Sequence, residues 1–317
     1  MHKNKQTGAA EFLEVEPELA QFQRDIRAHI DRTLMDNPPI EAFRAASRAA
    51  RLGWSLAGPE VPMVATPDFG LPARHYHPVN AQNALIIYLH GGGWSLLDID
   101  THDRLMREYA LQTGWHVLGL DYPLAPEVRF PQNLIACAAA ITRVIQNAEQ
   151  LGVRPDRIVL AGDSSGANLA MAIALRGLKD GQTLAGLVLN YGVYDSDLSR
   201  DSYLRHGQIP NSLSAELMAF FWQNYCESMR DRTNTLAAPL RATPNKLAKL
   251  PPVHMAIAGQ DVLLDENLLM AKKLEAASVE VSHKTYPTAT HGFLEAVGLS
   301  PAADQALTDT ARWIKRL

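Results

Sequence analysis

The sequence has little cysteine, no excess of basic residues and no long apolar run. Cys137 and Cys226 are its only cysteines among 317 residues. Two cysteines exclude a disulfide-rich fold; one disulfide stays open, but two reduced packing residues are predicted. The formal net charge is −4, which gives no basic surface for nucleic acid or an anionic membrane. No apolar run reaches the roughly 18–20 residues that span a bilayer.

The N-terminal segment, Met1 to Glu18, also lacks the apolar core of a signal peptide. We therefore expect a cytoplasmic protein. The hydrophobic fraction of 47% and the charged fraction of 20% are ordinary for a globular chain. The length suits one large α/β domain with an accessory element, or two small domains.

The spacing of apolar residues changes along the chain and divides it into segments. From Glu18 to about Trp54 it is helical, with a break at Asn37-Pro38-Pro39. From Ala84 onward, short apolar strands alternate with helices, which predicts a mostly parallel central sheet with helices on both faces. The alternation stops from about Tyr194 to Lys249 and then returns. These changes predict an N-terminal helical segment over 1–56, an α/β domain over 57–193 and 250–317, and an insertion over 194–249.

The most informative stretch is Gly162-Asp163-Ser164-Ser165-Gly166, between the apolar run Ile158 to Ala161 and the helical run Ala167 to Leu175. Strand, G-x-S-x-G and helix in this order are typical of a nucleophile elbow, in which a strained turn holds a serine out of the sheet. The pattern predicts Ser164 as a nucleophile and Asp163 as a turn-shaping residue that points away. A serine nucleophile needs a base, an orienting acid and a charge-stabilising pocket elsewhere in the chain.

A glycine run supplies a candidate for that pocket. His90-Gly91-Gly92-Gly93-Trp94 directly follows the apolar strand Leu85 to Leu89. Consecutive glycines are conformationally costly and make sense where backbone N–H groups turn toward a ligand. We predict an oxyanion hole formed by the amides of Gly91, Gly92, Gly93 and Ser165. A flexible turn is the alternative, and the elbow in the same chain weakens it.

The base is predicted at His291, on a loop after the strand Val279 to Tyr286. His254 and His283 lie in strands and are expected to be structural. His75 and His77 form an H-x-H pattern, but no carboxylate or cysteine ligand pattern accompanies them, so no metal site is predicted.

The acid is predicted at Asp261, because it follows the strand Val253 to Ala258 and lies between serine and histidine in chain order. Asp265 is the alternative acid. With Glu266 it opens the next helix, where a carboxylate is stabilised by the helix dipole.

These motifs together resemble the bacterial hormone-sensitive lipase family of α/β hydrolases: His90-Gly91-Gly92-Gly93-Trp94, Asp121 to Glu127, Gly162 to Gly166, Gly259-Gln260-Asp261 with Asp265-Glu266, and His291-Gly292-Phe293. The segments Asp98 to Arg104 and Phe130-Pro131-Gln132 look closest to its acetyl esterase branch. The resemblance covers the chain from about Ala84 to Phe293. The family usually has arginine in place of Pro123 and glycine in place of Ala167.

The resemblance implies an α/β-hydrolase fold with a helical cap, made by the N-terminal helices and the insertion. It also implies a Ser164–His291–Asp261 triad, oxyanion donors at Gly92, Gly93 and Ser165, and hydrolysis of short acyl esters without a cofactor or metal. Trp94 could narrow the acyl pocket. Trp222 is predicted, with Trp94, as a substrate-binding residue. It could line the cap beside Phe220 and Phe221, although packing within the cap is expected for at least two of these three aromatic residues.

Two other functions stay open at this point. An amidase or formamidase would use the same triad, and a non-catalytic regulator would use the pocket for binding alone. The presence of His291 argues against the regulator. The expected partner is a small-molecule ester, with neither nucleic acid nor membrane, and the closing helix and a strand edge near the C-terminus could support a homodimer.

Overall fold

Eight strands form one sheet in the computed structural model, which describes residues 14–33, 38–178 and 182–317. Most of the polar N-terminal segment and Asn37 of the predicted break lie outside these ranges. The strands are β1 (Met63–Val64), β2 (Ala73–Tyr76), β3 (Gln82–Leu89), β4 (Trp115–Leu120), β5 (Ile158–Asp163), β6 (Gly186–Asn190), β7 (Val253–Gln260) and β8 (Val281–Thr290). Their spatial order is β1-β2-β4-β3-β5-β6-β7-β8.

The sheet is parallel from β4 through β8, and β1 and β2 are added antiparallel at one edge. The α-helices of the described ranges are α1 (Pro17–Thr33), α2 (Ile40–Leu56), α3 (Asp103–Thr113), α4 (Gln132–Gln146), α5 (Ser165–Arg176), α6 (Asp201–His206), α7 (Ala215–Tyr225), α8 (Met229–Arg232), α9 (Pro244–Leu247), α10 (Leu264–Ala276) and α11 (Pro301–Ile314). The predicted mostly parallel α/β fold is confirmed.

Alternate residues of the central strands belong to two separate cores. Leu85, Ile87 and Leu89 pack in one apolar cluster, whereas Ile86 and Tyr88 pack in the other. Successive side chains of a strand point to opposite faces, so each cluster occupies one face of the sheet. Helices cover both faces, and this is why β3 appears in the sequence as a continuous apolar run.

Strand β8 is longer than predicted. The sequence predicts it from Val279 to Tyr286, before Pro287, whereas the structure has it from Val281 to Thr290. The only strand that pairs with β8 in the described sheet is β7. An edge strand tolerates proline because one side of it needs no ladder hydrogen bonds. The extension places His291 directly at the carboxyl end of β8.

Helices α6 to α9 lie between β6 and β7, where the alternation in the sequence stops. Helices α1 and α2 precede the sheet and pack against each other. Cys137 and Cys226 are buried free thiols. No helix in the described ranges is long and apolar enough to cross a membrane.

Candidate active site

Ser164 occupies a strained turn between β5 and α5. Its φ of 53° and ψ of −118° are unusual for a residue other than glycine, and such conformations cluster at functional sites. A Cβ added at Gly162 would lie 2.5 Å from the carbonyl carbon of Gly166, and one added at Gly166 would lie 2.0 Å from the carbonyl oxygen of Leu89. The glycines of the motif therefore allow the close approach of strand and helix that the turn needs.

Ser164, His291 and Asp261 form one continuous hydrogen-bonded chain. His291 Nε2 lies 2.8 Å from Ser164 Oγ, and His291 Nδ1 lies 2.8 Å from Asp261 Oδ2. Asp261 is 1% exposed, and its Oδ1 accepts a hydrogen bond from the Leu263 amide at 3.0 Å. With a proton on Nδ1 held by the carboxylate, Nε2 is left to accept the serine proton.

Asp265, the alternative acid, faces away from this chain. Its carboxylate accepts hydrogen bonds from the Ser202 amide at 2.8 Å and from Arg205 at 2.7 Å. Both partners belong to α6, so Asp265 ties α6 to the start of α10. The geometry therefore favours Asp261 as the partner of the histidine.

The environment of His291 favours its charged form. Burial of the imidazole opposes a charge, but the nearby carboxylates of Asp261, Asp163 and Glu295 outweigh it and raise the pKa of His291 above its ordinary value. An imidazolium formed when the histidine takes a proton from serine is therefore stabilised where it forms.

The glycine loop places two of its three glycines, Gly92 and Gly93, at the site. Gly92 and Gly93 have φ of 117° and 59° and line the cavity in front of Ser164. Gly91 was predicted as a third donor, and this is wrong, because its N–H already donates to Asp163 Oδ1 at 3.0 Å. Ser165 begins α5, whose N-terminal amides form the positive end of the helix.

Asp163 has a larger role than turn shaping. Its Oδ1 accepts hydrogen bonds from the Tyr88 hydroxyl at 2.8 Å and from the Gly91 amide at 3.0 Å, and it lies 3.4 Å from His102 Nε2. Burial lowers the pKa of His102, but the Asp163 carboxylate more than compensates and raises it. Asp163 thus anchors the glycine loop to the sheet. His102 belongs to the segment Asp98 to Arg104, which stood out in the sequence only by its resemblance to acetyl esterases.

A cavity of about 180 Å³ opens onto Ser164 and His291. Trp94 lines it and stacks on Tyr225 at 4.0 Å between ring centroids. Trp222, which was predicted as a substrate-binding residue, does not line the cavity and is fully buried, with its ring centroid 5.0 Å from that of Trp94. Its neighbour Phe221 lines the cavity and packs against the glycine loop, since a Cβ added at Gly93 would lie 2.2 Å from its ring.

The H-x-H pair lies away from this cavity at the antiparallel edge of the sheet. His75 Nε2 is 2.9 Å from His116 Nδ1, and His77 stacks on His116. Burial lowers the pKa values of His75 and His116 to about 4. Among the described residues, no group of three or more histidine, cysteine, aspartate or glutamate side chains is arranged to hold a metal ion.

A family model for the alpha/beta hydrolase fold matches residues 86–295. The chain belongs to this family. Two curated relatives are acetyl esterases: that of Salmonella dublin is 32% identical and aligns over 94% of this chain and 95% of its own, and that of Salmonella schwarzengrund is 33% identical over 86% of each. The predicted resemblance to the bacterial hormone-sensitive lipase family is confirmed.

Solved structures of esterases have the same fold. A hyperthermophilic esterase from Pyrobaculum calidifontis superposes with a TM-score of 0.85, at 28% identity, over 96% of this chain and 99% of its own. A thermostable esterase from Pseudomonas putida superposes with a TM-score of 0.84, at 27% identity, over 98% of each chain. With the curated relatives, these structures show that the protein is a carboxylic ester hydrolase.

Proposed function

We propose that the protein is a serine carboxylesterase that hydrolyses short acyl esters such as acetates through an acyl-enzyme intermediate. The observation that carries the proposal is the chain from Asp261 through His291 to Ser164, with both hydrogen bonds at 2.8 Å. It ends at a cavity onto which the glycine loop also opens. Acyl transfer requires a nucleophile, a base, an orienting acid and oxyanion donors, and the proximity of these groups supports the proposal.

In the proposed reaction, Ser164 Oγ attacks the ester carbonyl while His291 Nε2 takes its proton. The carbonyl oxygen becomes an oxyanion, which the amides of Gly92, Gly93 and Ser165 stabilise. His291 then gives the proton to the departing alcohol, and the acyl group remains on Ser164. A water molecule, activated by the same histidine, releases the acid and restores the serine.

The cap is also part of the proposal. The N-terminal segment predicted over 1–56, through its described helices α1 and α2, and the insertion over 194–249 are proposed to cover the site, on the α/β domain predicted over 57–193 and 250–317. Arg44 of α2 donates to the Ser95 and Ala125 carbonyls, at 2.8 Å each, and pairs with Glu127. These contacts tie α2 both to the loop that begins at the oxyanion glycines and to the loop that follows β4.

Small cavity volume supports a short acyl group. Ligand pockets for drug-sized molecules usually measure about 300–1,000 Å³, whereas this cavity measures about 180 Å³. The Phe221 ring against Gly93 closes the space next to the oxyanion loop. The names of the Salmonella relatives, acetyl esterases, agree with such a substrate.

The test compares Ser164→Ala with the parent protein on nitrophenyl esters from acetate to octanoate. We expect Ser164→Ala to lose hydrolysis of every ester and to keep its fold. Ser199→Ala, which removes an exposed serine of the insertion, is the matched control and should behave like the parent. Undiminished hydrolysis by Ser164→Ala would overturn the mechanism, and faster hydrolysis of octanoate than of acetate would overturn the acyl preference.

A second comparison separates ester from amide hydrolysis. Nitrophenyl acetate and nitroacetanilide carry the same acyl group. They differ in the bond that is cleaved, which is an ester in the first and an amide in the second. We expect the ester to be hydrolysed much faster by the parent protein. Equal kcat/KM for both substrates would favour the amidase alternative.

A further inference from the structure

A buried acid and a buried histidine lie beside the glycine loop and take no part in the triad. Asp163 precedes Ser164 at the end of β5, and His102 is the residue before α3. Asp163 Oδ1 lies 3.4 Å from His102 Nε2, and the two side chains are 2% and 0% exposed. Burying an ionised group is costly unless a group of opposite charge lies beside it. Each of these side chains thus has the other as a partner able to balance its charge.

The contacts of His102 Nδ1 show where one proton of the imidazole lies. Nδ1 is 3.1 Å from Thr101 Oγ1 and 3.3 Å from the Asp98 carbonyl oxygen. The Thr101 hydroxyl donates its own proton to the same carbonyl at 2.7 Å. The carbonyl can only accept, and the hydroxyl oxygen is left to accept as well. Nδ1 is therefore the donor of these contacts, and the proton on Nε2 decides whether His102 is neutral or charged.

The surroundings of Nε2 favour the imidazolium. Burial of the ring opposes a charge, but the carboxylates of Asp163 and Glu295 outweigh burial and the guanidinium of Arg51, so the pKa of His102 is raised. Burial likewise acts to raise the pKa of Asp163, but the nearby imidazole of His102 outweighs it, and this pKa is lowered. Each group therefore stabilises the charged form of the other.

The proton on Nε2 also decides which group accepts a hydrogen bond from the Gly91 amide. The Gly91 nitrogen lies 3.0 Å from Asp163 Oδ1 and 3.4 Å from His102 Nε2. An unprotonated Nε2 would compete with the carboxylate for this N–H. A protonated Nε2 is itself a donor, so it joins the Gly91 amide and the Tyr88 hydroxyl in donating to Asp163 Oδ1. The charged histidine therefore leaves the Gly91 amide with the carboxylate as its acceptor.

Gly91 begins the loop that carries the proposed oxyanion donors. Gly92 and Gly93 follow it directly and line the cavity in front of Ser164. The loop is tightly packed, since a Cβ added at Gly91 would lie 2.3 Å from Asp163 Oδ2 and one added at Gly92 would lie 2.1 Å from a backbone oxygen. A shift of the Gly91 amide would therefore displace the two amides that follow it.

We propose that His102 is a positioning residue for the oxyanion hole. As an imidazolium paired with Asp163, it directs the Gly91 amide to the carboxylate and so holds the next two amides toward the substrate. It acts through these two residues, because His102 itself does not line the cavity. This inference rests on the proposed esterase function, since it names a residue that supports the same reaction.

The kinetic test compares His102→Leu and His102→Gln with the parent protein in hydrolysis of nitrophenyl acetate. Leucine removes the donor and the charge, and we expect it to lower kcat and kcat/KM equally, by about 100-fold, with KM unchanged. This pattern marks an interaction that is made only in the transition state. Glutamine keeps an N–H donor at a similar reach without the charge, so it should restore kcat to within about tenfold of the parent value.

His254→Gln is the matched control. His254 is also buried, at 3% exposed, but its Nδ1 lies 3.2 Å from Ser282 Oγ and its ring stacks on Trp313. The control variant should keep the parent kcat and KM. Titration of active sites with an organophosphate, run to completion, corrects each rate for the fraction of folded enzyme.

The charge on His102 is measured independently of activity. Nitrogen-15 NMR of ring-labelled histidine distinguishes an imidazolium from a neutral imidazole, and the signals absent from His102→Gln belong to His102. At about pH 6.5, where an unperturbed histidine is half charged, we expect both ring nitrogens of His102 to be mostly protonated. This measurement on the parent protein decides the matter even if His102→Leu does not fold.

The possible failures are distinguishable. An unprotonated Nε2 at that pH, an unchanged kcat in His102→Leu, a loss confined to KM, or equal losses in the two variants would overturn the positioning role. If the parent protein still hydrolyses nitrophenyl acetate and Ser164→Ala abolishes this, the esterase function stands without it. If the parent protein hydrolyses no nitrophenyl ester, the esterase function and the positioning role fail together.

Discussion

Replacing Asp261 by asparagine is expected to lower kcat about 10⁴-fold while leaving the fold intact. Asp261 Oδ2 lies 2.8 Å from His291 Nδ1. Asparagine can keep the Oδ1 contact with the Leu263 amide, so its NH₂ group would replace Oδ2 and face Nδ1. Two donors cannot share that position, and the imidazole proton must move to Nε2. A protonated Nε2 cannot accept the proton of Ser164.

The size of this loss corresponds to about 5.4 kcal/mol of transition-state stabilisation. The assay is steady-state hydrolysis of nitrophenyl acetate near neutral pH, with circular dichroism and the melting temperature as measures of folding. Asp265→Asn is the matched control, since Asp265 bonds to α6 instead of the histidine, and it should lose less than about tenfold. The reasoning is refuted if Asp261→Asn keeps a tenth of the activity, or if Asp265→Asn loses more.

Three further perturbations test the site. Activity should fall as pH drops through the raised pKa of His291, with a midpoint above about 6.5. Glu295→Gln should lower this midpoint, because it removes a carboxylate that raises the pKa of His291. A flat rate from about pH 5 to 8 would contradict both expectations. Phe221→Ala should raise kcat/KM for the octanoate ester relative to the acetate ester about tenfold in steady-state kinetics. It should also lower the free energy of unfolding by about 3–5 kcal/mol in urea denaturation. An unchanged chain-length profile would contradict the role of Phe221 in limiting the acyl group. Gly91→Ala places a Cβ 2.3 Å from Asp163 Oδ2. The variant should reduce kcat about 100-fold, because the oxyanion loop is displaced. An unchanged kcat would mean that Asp163 does not hold this loop.

The order of the chemical groups along the chain could be predicted from the sequence. Ser164, Asp261 and His291 each follow a strand of a parallel sheet, and the carboxyl ends of such strands meet at one edge. The structure brings the three side chains together there. Their catalytic roles stay predictions, as do the homodimer and the cytoplasmic location.

Which backbone amides and which aromatic rings face the cavity could not be predicted from the sequence. Spacing shows that three glycines adjoin the site. It does not show that Asp163 engages the Gly91 amide, because that depends on how Asp163 also meets Tyr88 of β3 and His102, the residue before α3. Trp222 and Phe221 are adjacent on α7, and the rotation of this helix about its axis decides which ring faces the cavity. The extension of β8 past Pro287 depends on its edge position, which only the order of strands reveals.

The most direct test of the account is to react the protein with a fluorophosphonate and locate the adduct by peptide mass spectrometry. The proposed mechanism predicts one phosphonyl group on Ser164 and a parallel loss of esterase activity. His291→Ala should prevent the labelling, because the serine would lack its base, while His283→Ala, a change at a partly exposed histidine of β8, should not. Loss of activity with the adduct on another residue, or no adduct at all on an active enzyme, would contradict the central role of Ser164.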